Sequence, residues 1–133
     1  MNTQKYVIAS LGAAVFLFLY GWLAYGFLLT DYMSANSPPG MFLPEGQENV
    51  LAIALGCLIQ GFALGLIYVN GHEGKGAMEG VRFGIYFGLF FLGMHVLSTG
   101  VMPVSLATAF TYAATDMLMY VGAGVVLALL YKK

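Results

Sequence analysis

The chain has 133 residues, of which 60% are apolar and only 8% charged, with a formal net charge of −1. A soluble domain carries about 25% charged residues, and one this small has too little interior to hide so much apolar surface. The near-neutral balance, with no basic block and no acidic tail, argues against a nucleic-acid partner.

Four stretches almost free of charge, Tyr6–Leu29, Asn49–Val69, Phe83–Met102 and Val104–Tyr131, take up most of the sequence. Each is near or above the roughly 20 apolar residues that cross a hydrocarbon core. Backbone amides in hydrocarbon must be satisfied within the segment, which predicts a helix for every stretch. The expected fold is an all-α integral membrane protein, a single four-helix transmembrane domain covering residues 1–133.

The first stretch follows Lys5, and Met33-Ser34-Ala35 loosely resembles a cleavage site. Its apolar core exceeds the about 7–15 residues of a secretory signal, so a retained membrane helix is expected. Tyr20, Trp22 and Tyr25 in its outer half fit the interfacial aromatic belt. The loop from Thr30 to Asn49 carries Ser37-Pro38-Pro39-Gly40 and Met41-Phe42-Leu43-Pro44. Its prolines oppose a continuing helix. It is either a lid or docking loop, or a segment whose Phe42 and Leu43 dip into the membrane interface.

The second stretch holds Cys57, the only cysteine, which excludes an internal disulfide and a cysteine-based zinc cluster. Gln60 reads as interhelical glue, and Gly61 with Gly65 forms a short small-residue face. The polar link Asn70–Glu79 contains Gly74-Lys75-Gly76. It fails as a phosphate loop, because Val69 stands at the first glycine, Gly76 at the final hydroxyl position, and no strand precedes it. His72 and Glu73 are expected to be solvated loop residues.

The third stretch opens on the clearest pattern in the chain, glycine at every fourth position: Gly76, Gly80, Gly84 and Gly88. On a helix these form one groove that lets a second backbone approach closely. Glycine costs about 1 kcal/mol in a helix relative to alanine, so the groove implies close packing, either inside the bundle or against another subunit. The link to the fourth stretch, around Ser98–Pro103, is short enough to make these two helices antiparallel neighbours.

Asp116 is the most unusual residue, placed near the membrane centre, where an aspartate costs about 2.5–3.5 kcal/mol. Tyr112 and Tyr120 lie four residues to either side on the same face, with Thr115 adjacent. His95, on the preceding helix, is expected within about 6 Å of the same depth. Asp116 and His95 are either a proton-binding couple, a polar contact to a cofactor or partner helix, or a satisfied polar knot. No nucleophile–base–orienter set appears, so no enzyme activity is expected. The aromatic content leaves room for a lipid, quinone or pigment, but no residue pattern specifies a cofactor.

Lys5, Lys75, Arg82, Lys132 and Lys133 all fall on one side of a four-span topology, which the positive-inside rule makes cytoplasmic, with both termini inside. Asp31, Glu45 and Glu48 fall on the other side. No repeat relates the two halves, so an inverted-repeat transporter is not indicated.

Gly21-Trp22-Leu23-Ala24-Tyr25-Gly26-Phe27-Leu28 closes the first helix, and Gly80 and Gly84 open a later one. In this layout the chain resembles small bacterial four-span membrane proteins without an established activity. Phe27 and Leu28 stand where those families place a proline. The resemblance implies the architecture and a bacterial inner membrane, and carries no site.

Two functions remain open. One is an accessory subunit that packs through its glycine-lined faces into a larger membrane assembly or oligomer, with lipids and other subunits as partners. The alternative is a small proton-coupled carrier or channel, working as an oligomer through Asp116 and His95.

Overall fold

A computed structural model describes residues 1–132, whose regular elements are all helices; Lys133, one of the five expected inner cations, lies outside the described residues. The order is α1 (Thr3–Leu23), a π-helical turn (Ala24–Leu28), α2 (Thr30–Asn36), α3 (Val50–Asn70), α4 (Ala77–Ser98) and α5 (Leu106–Leu130). The spans Thr3–Leu28, Val50–Asn70, Ala77–Ser98 and Leu106–Leu130 are long and apolar enough to cross a membrane, and the chain is a four-helix membrane protein.

The helix starts follow capping chemistry. Asn2, Asn49 and Ser105 accept through their side chains from the amides of Lys5, Ala52 and Thr108, meeting donors that the helices leave free. Hydropathy misplaced two ends because a helix stops where its hydrogen bonds stop. α4 begins at Ala77 rather than Phe83 and carries Glu79 and Arg82, and it ends at Ser98 rather than Met102. The stretch after Thr30 is not all loop: Met33-Ser34-Ala35 lies within α2, which ends before the prolines.

Two tight helix pairs form the bundle. α1 packs on α3, and α4 on α5 in the antiparallel arrangement that their short link requires. In the first pair, a Cβ on Gly61 would collide with the Ser10 carbonyl and with Ala14, and one on Gly65 with Ser10. In the second, Gly80 lies against the backbone of Gly124, Gly84 against Tyr120 and Val121, and Gly88 against Met117. The glycine faces are therefore spent inside the molecule. Gly76 does not belong to the ladder. It caps α4 with φ +71°, outside the helical region, and nothing lies near its would-be Cβ. The spacing of four predicted its place only as long as the helix continued to it.

The two pairs meet where α1 packs on α5, through Ala9, Ala13 and Leu17 against Ala123, Leu127 and Ala128. The other side is different. α3 and α4 scarcely approach each other, and bulky rings fill the space between them. Tyr68 meets Phe83 edge-on, Phe83 meets Phe87, and Phe91 stacks on Tyr120 with centroids 4.7 Å apart. Small residues bring backbones together, and aromatic residues hold this seam open.

Lys5 Nζ donates to the Lys132 carbonyl, the Asn2 amide to the Tyr131 hydroxyl, and the His72 ring packs edge-on against Tyr131. The described start and end of the chain and the α3–α4 link thus share one end of the bundle. Tyr32 and Ser37 cross the opposite end, where they meet Thr111 and Tyr112 of α5.

Candidate functional site

Asp116 lies about ten residues, or some 15 Å, into α5. The short turn between α4 and α5 brings His95 opposite it. Asp116 Oδ2 is 2.6 Å from His95 Nε2, and Tyr25 donates its hydroxyl proton to Oδ1 at 2.5 Å. An ionised carboxylate only accepts, so each oxygen meets one donor: the tyrosine hydroxyl, and the histidine when Nε2 carries its proton. The side chains are 12% exposed for Asp116 and 23% for His95.

Tyr25 was expected in the interfacial belt. It lies where the backbone leaves the α-helix. The last turn of the first span winds as a π-helix, closed by the Leu29 amide donating to the Ala24 carbonyl. Such a turn shifts every later side chain around the axis, and π-turns recur at functional sites. Tyr20 also turns in and donates to the Thr115 carbonyl. Trp22 alone of the three aromatics keeps a belt-like place, 71% exposed.

The tyrosines flanking Asp116 are close without bonding it. Tyr112 shares a hydrogen bond with Ser37 and packs its ring near those of Tyr25 and His95. Tyr120 donates to Gln60 Oε1 at 3.4 Å. Their spacing puts them on the face of Asp116, but a tyrosine is long, and the two hydroxyls reach past the carboxylate to Ser37 and to Gln60. Ser37 and Tyr32 thus tie the segment after the first span to the rim of the site at that end of the bundle. Toward the other end, Tyr120 gives way to the apolar core of Phe87, Ala123 and Leu127.

A second polar cluster occupies the opposite end. His72, expected in solvent, is 5% exposed, as is Glu79. Glu79 lies within hydrogen-bonding distance of His72 Nδ1 (3.0 Å) and accepts from the backbone amides of Glu73 (2.8 Å) and Lys75 (2.7 Å), so one buried carboxyl organises the α3–α4 link. Glu73 is solvent-facing, as expected, and pairs with Lys75 and Arg82. Lys75, then Arg82, hold its carboxyl below the usual range. The stabilisation from this shift is present above the ordinary glutamate value and fades as pH falls through the lowered one.

Glu79→Ala is expected to release the link, since it removes the acceptor from two loop amides at once. Tryptic cleavage after Lys75 should accelerate about tenfold, while His72→Ala, which removes one bond of the three, should have a smaller effect. Limited proteolysis of the purified protein measures both. Equal cleavage of Glu79→Ala and the unaltered chain would mean that the carboxyl does not hold the loop.

Among the described residues no cluster of three His, Cys, Asp or Glu side chains could hold a metal ion. Cys57 is unpaired and partly buried in the α3 face that meets the core. The comparisons add no family: no protein-family model, characterised protein or solved structure matches this chain.

Proposed function

We propose that this membrane protein binds and releases a proton at Asp116 and His95, as a small proton-coupled carrier or channel. The observation that carries the reading is the Tyr25–Asp116–His95 arrangement, in which an acid, a base and a hydroxyl from three elements meet about 15 Å inside a spanning helix. Ionisable residues at that depth are costly and characteristically mark proton or substrate pathways. The π-turn that carries Tyr25 and the hydroxyls of Ser37 and Tyr112 toward the outer rim support the same reading.

The accessory-subunit reading loses its original motive, because the glycine faces meant to dock a partner pack α1 on α3 and α4 on α5. An association surface must lie elsewhere. Four helices enclose no pathway between them, so a carrier of this size works as an oligomer. The charge distribution favours a membrane placement with both termini cytoplasmic, and the layout favours a bacterial inner membrane.

The test is pH-titrated infrared difference spectroscopy on the reconstituted protein. A carboxyl band that responds to pH and disappears in Asp116→Asn is the expected result. No such band, in a folded sample, would remove proton binding from Asp116.

A further inference from the structure

Gln60 stands out once the bundle is assembled. It lies about ten residues, or some 15 Å, from each end of α3, beyond the reach of water and lipid headgroups. Its side chain is nevertheless on the exposed surface. Tyr120 donates to its Oε1, but the two N–H groups of its Nε2 find no acceptor among the described residues. Amide donors left in hydrocarbon cost several kcal/mol, and lipid tails offer nothing to accept them.

The surroundings of Gln60 on α3 are made of short side chains. Gly56 precedes it by one turn and Ala63 follows it on the same flank. Gly61 and Gly65 have a packing reason inside the molecule, whereas nothing lies within 4 Å of a Cβ on Gly56. A helix glycine that costs about 1 kcal/mol and packs against nothing of its own chain matches a surface that receives another helix.

We infer that this flank of α3 is the interface with a second copy of the chain, joined by a reciprocal pair of Gln60 carboxamides. Two features single out a second copy as the occupant. A carboxamide is both donor and acceptor, so identical side chains facing each other across a two-fold axis satisfy one another. Two copies inserted in the same orientation also place Gln60 at the same depth automatically, which a lipid cannot do. Each Nε2 donates to the partner copy's Oε1, whose remaining lone pair is free of the Tyr120 hydroxyl. Gly56 and Ala63 let the two α3 backbones approach closely enough for these bonds.

The dimer supplies the oligomer that the proton-coupled reading requires, and that reading lends it one motive. The two can fail separately: a dimer that survives both leucine substitutions overturns this interface and leaves the proton-coupled reading standing, whereas a monomer counts against both. Native mass spectrometry of the protein released from its own membrane, with cross-linking of Gly56→Cys in a Cys57→Ser background, reads the interface directly. The expected result is a homodimer that cross-links at position 56. Gln60→Leu and Gly56→Leu should each lower the association constant at least about tenfold, while Leu58→Ala on another flank, also exposed, leaves it unchanged. Gly56→Leu keeps the test interpretable, because a Cβ at that position meets nothing within 4 Å in its own chain. A monomeric unaltered protein, a complex with a different partner only, or a dimer that survives both leucine substitutions would each overturn the inference.

Discussion

Gly84→Leu is expected to break the α4–α5 pair and to cause the largest loss of stability of any single substitution in the glycine faces. A Cβ at this position would run into the Val121 Cα and the Tyr120 carbonyl, which are backbone and cannot rotate away. Overpacking costs about 1–3 kcal/mol where side chains can rearrange, and here the neighbours cannot, so the cost should reach or exceed the upper end. Gly80→Leu should behave alike, because its neighbour is the Gly124 backbone. Gly88 is more forgiving, since much of what it meets is the flexible Met117 side chain. Gly93→Ala is the informative contrast. Gly93 lies in the same helix with nothing near its would-be Cβ, so alanine should be neutral or stabilising by up to about 1 kcal/mol. Thermal unfolding followed by circular dichroism in one detergent ranks these variants. A Gly84→Leu protein as stable as the unaltered chain would mean that α4 and α5 do not pack at this separation.

The same contrast shows what the sequence could and could not reveal. The spans were legible because hydrocarbon imposes a strict length and composition, and a one-residue error in either leaves the signal intact. The i, i+4 recurrence of Gly80, Gly84 and Gly88 marked a close-packed face correctly, but spacing names no neighbour, and Gly124 on α5 carries no sign that it is one. Gly76 satisfied the recurrence and failed in the structure, because periodicity does not register where a helix begins. The Asp116–His95 pair was legible from depth counting along two antiparallel helices with a short link. Tyr25 was not. It lies in a π-helical turn that no sequence pattern marks, and an interfacial tyrosine is the ordinary reading of an aromatic at the end of a span. His72 was missed for a related reason: a polar link in sequence gives no hint that Glu79, two residues into the next helix, turns back and gathers it in. The closest signal is the pairing of a histidine with a glutamate across a glycine-rich turn.

Asp116→Asn and Asp116→Leu are expected to part company, and the difference separates a structural knot from a proton site. Asparagine keeps the shape and one carbonyl oxygen, so Tyr25 still has an acceptor. Its amide then faces His95 Nε2, which accepts when the ring carries its proton on Nδ1. The folded state should survive with a loss of about 1 kcal/mol, the net worth of an ordinary hydrogen bond. Leucine leaves the Tyr25 hydroxyl and His95 Nε2 facing an apolar side chain, and removing one member of a buried polar pair costs about 3–5 kcal/mol. Replacing both partners of a hydrogen bond is milder than replacing one, so Asp116→Leu combined with His95→Leu should recover part of that loss. Adding Tyr25→Phe should recover more, because it removes the last unanswered donor. Stability of this set in a single detergent, measured as a cycle, gives the coupling among the three side chains directly. Strict additivity would mean that they do not act together. If the cluster existed only to hold the helices, Asp116→Asn would preserve function along with the fold. The proton-coupled reading requires the opposite: a folded protein that has lost its mid-span carboxyl and, with it, every proton-dependent step.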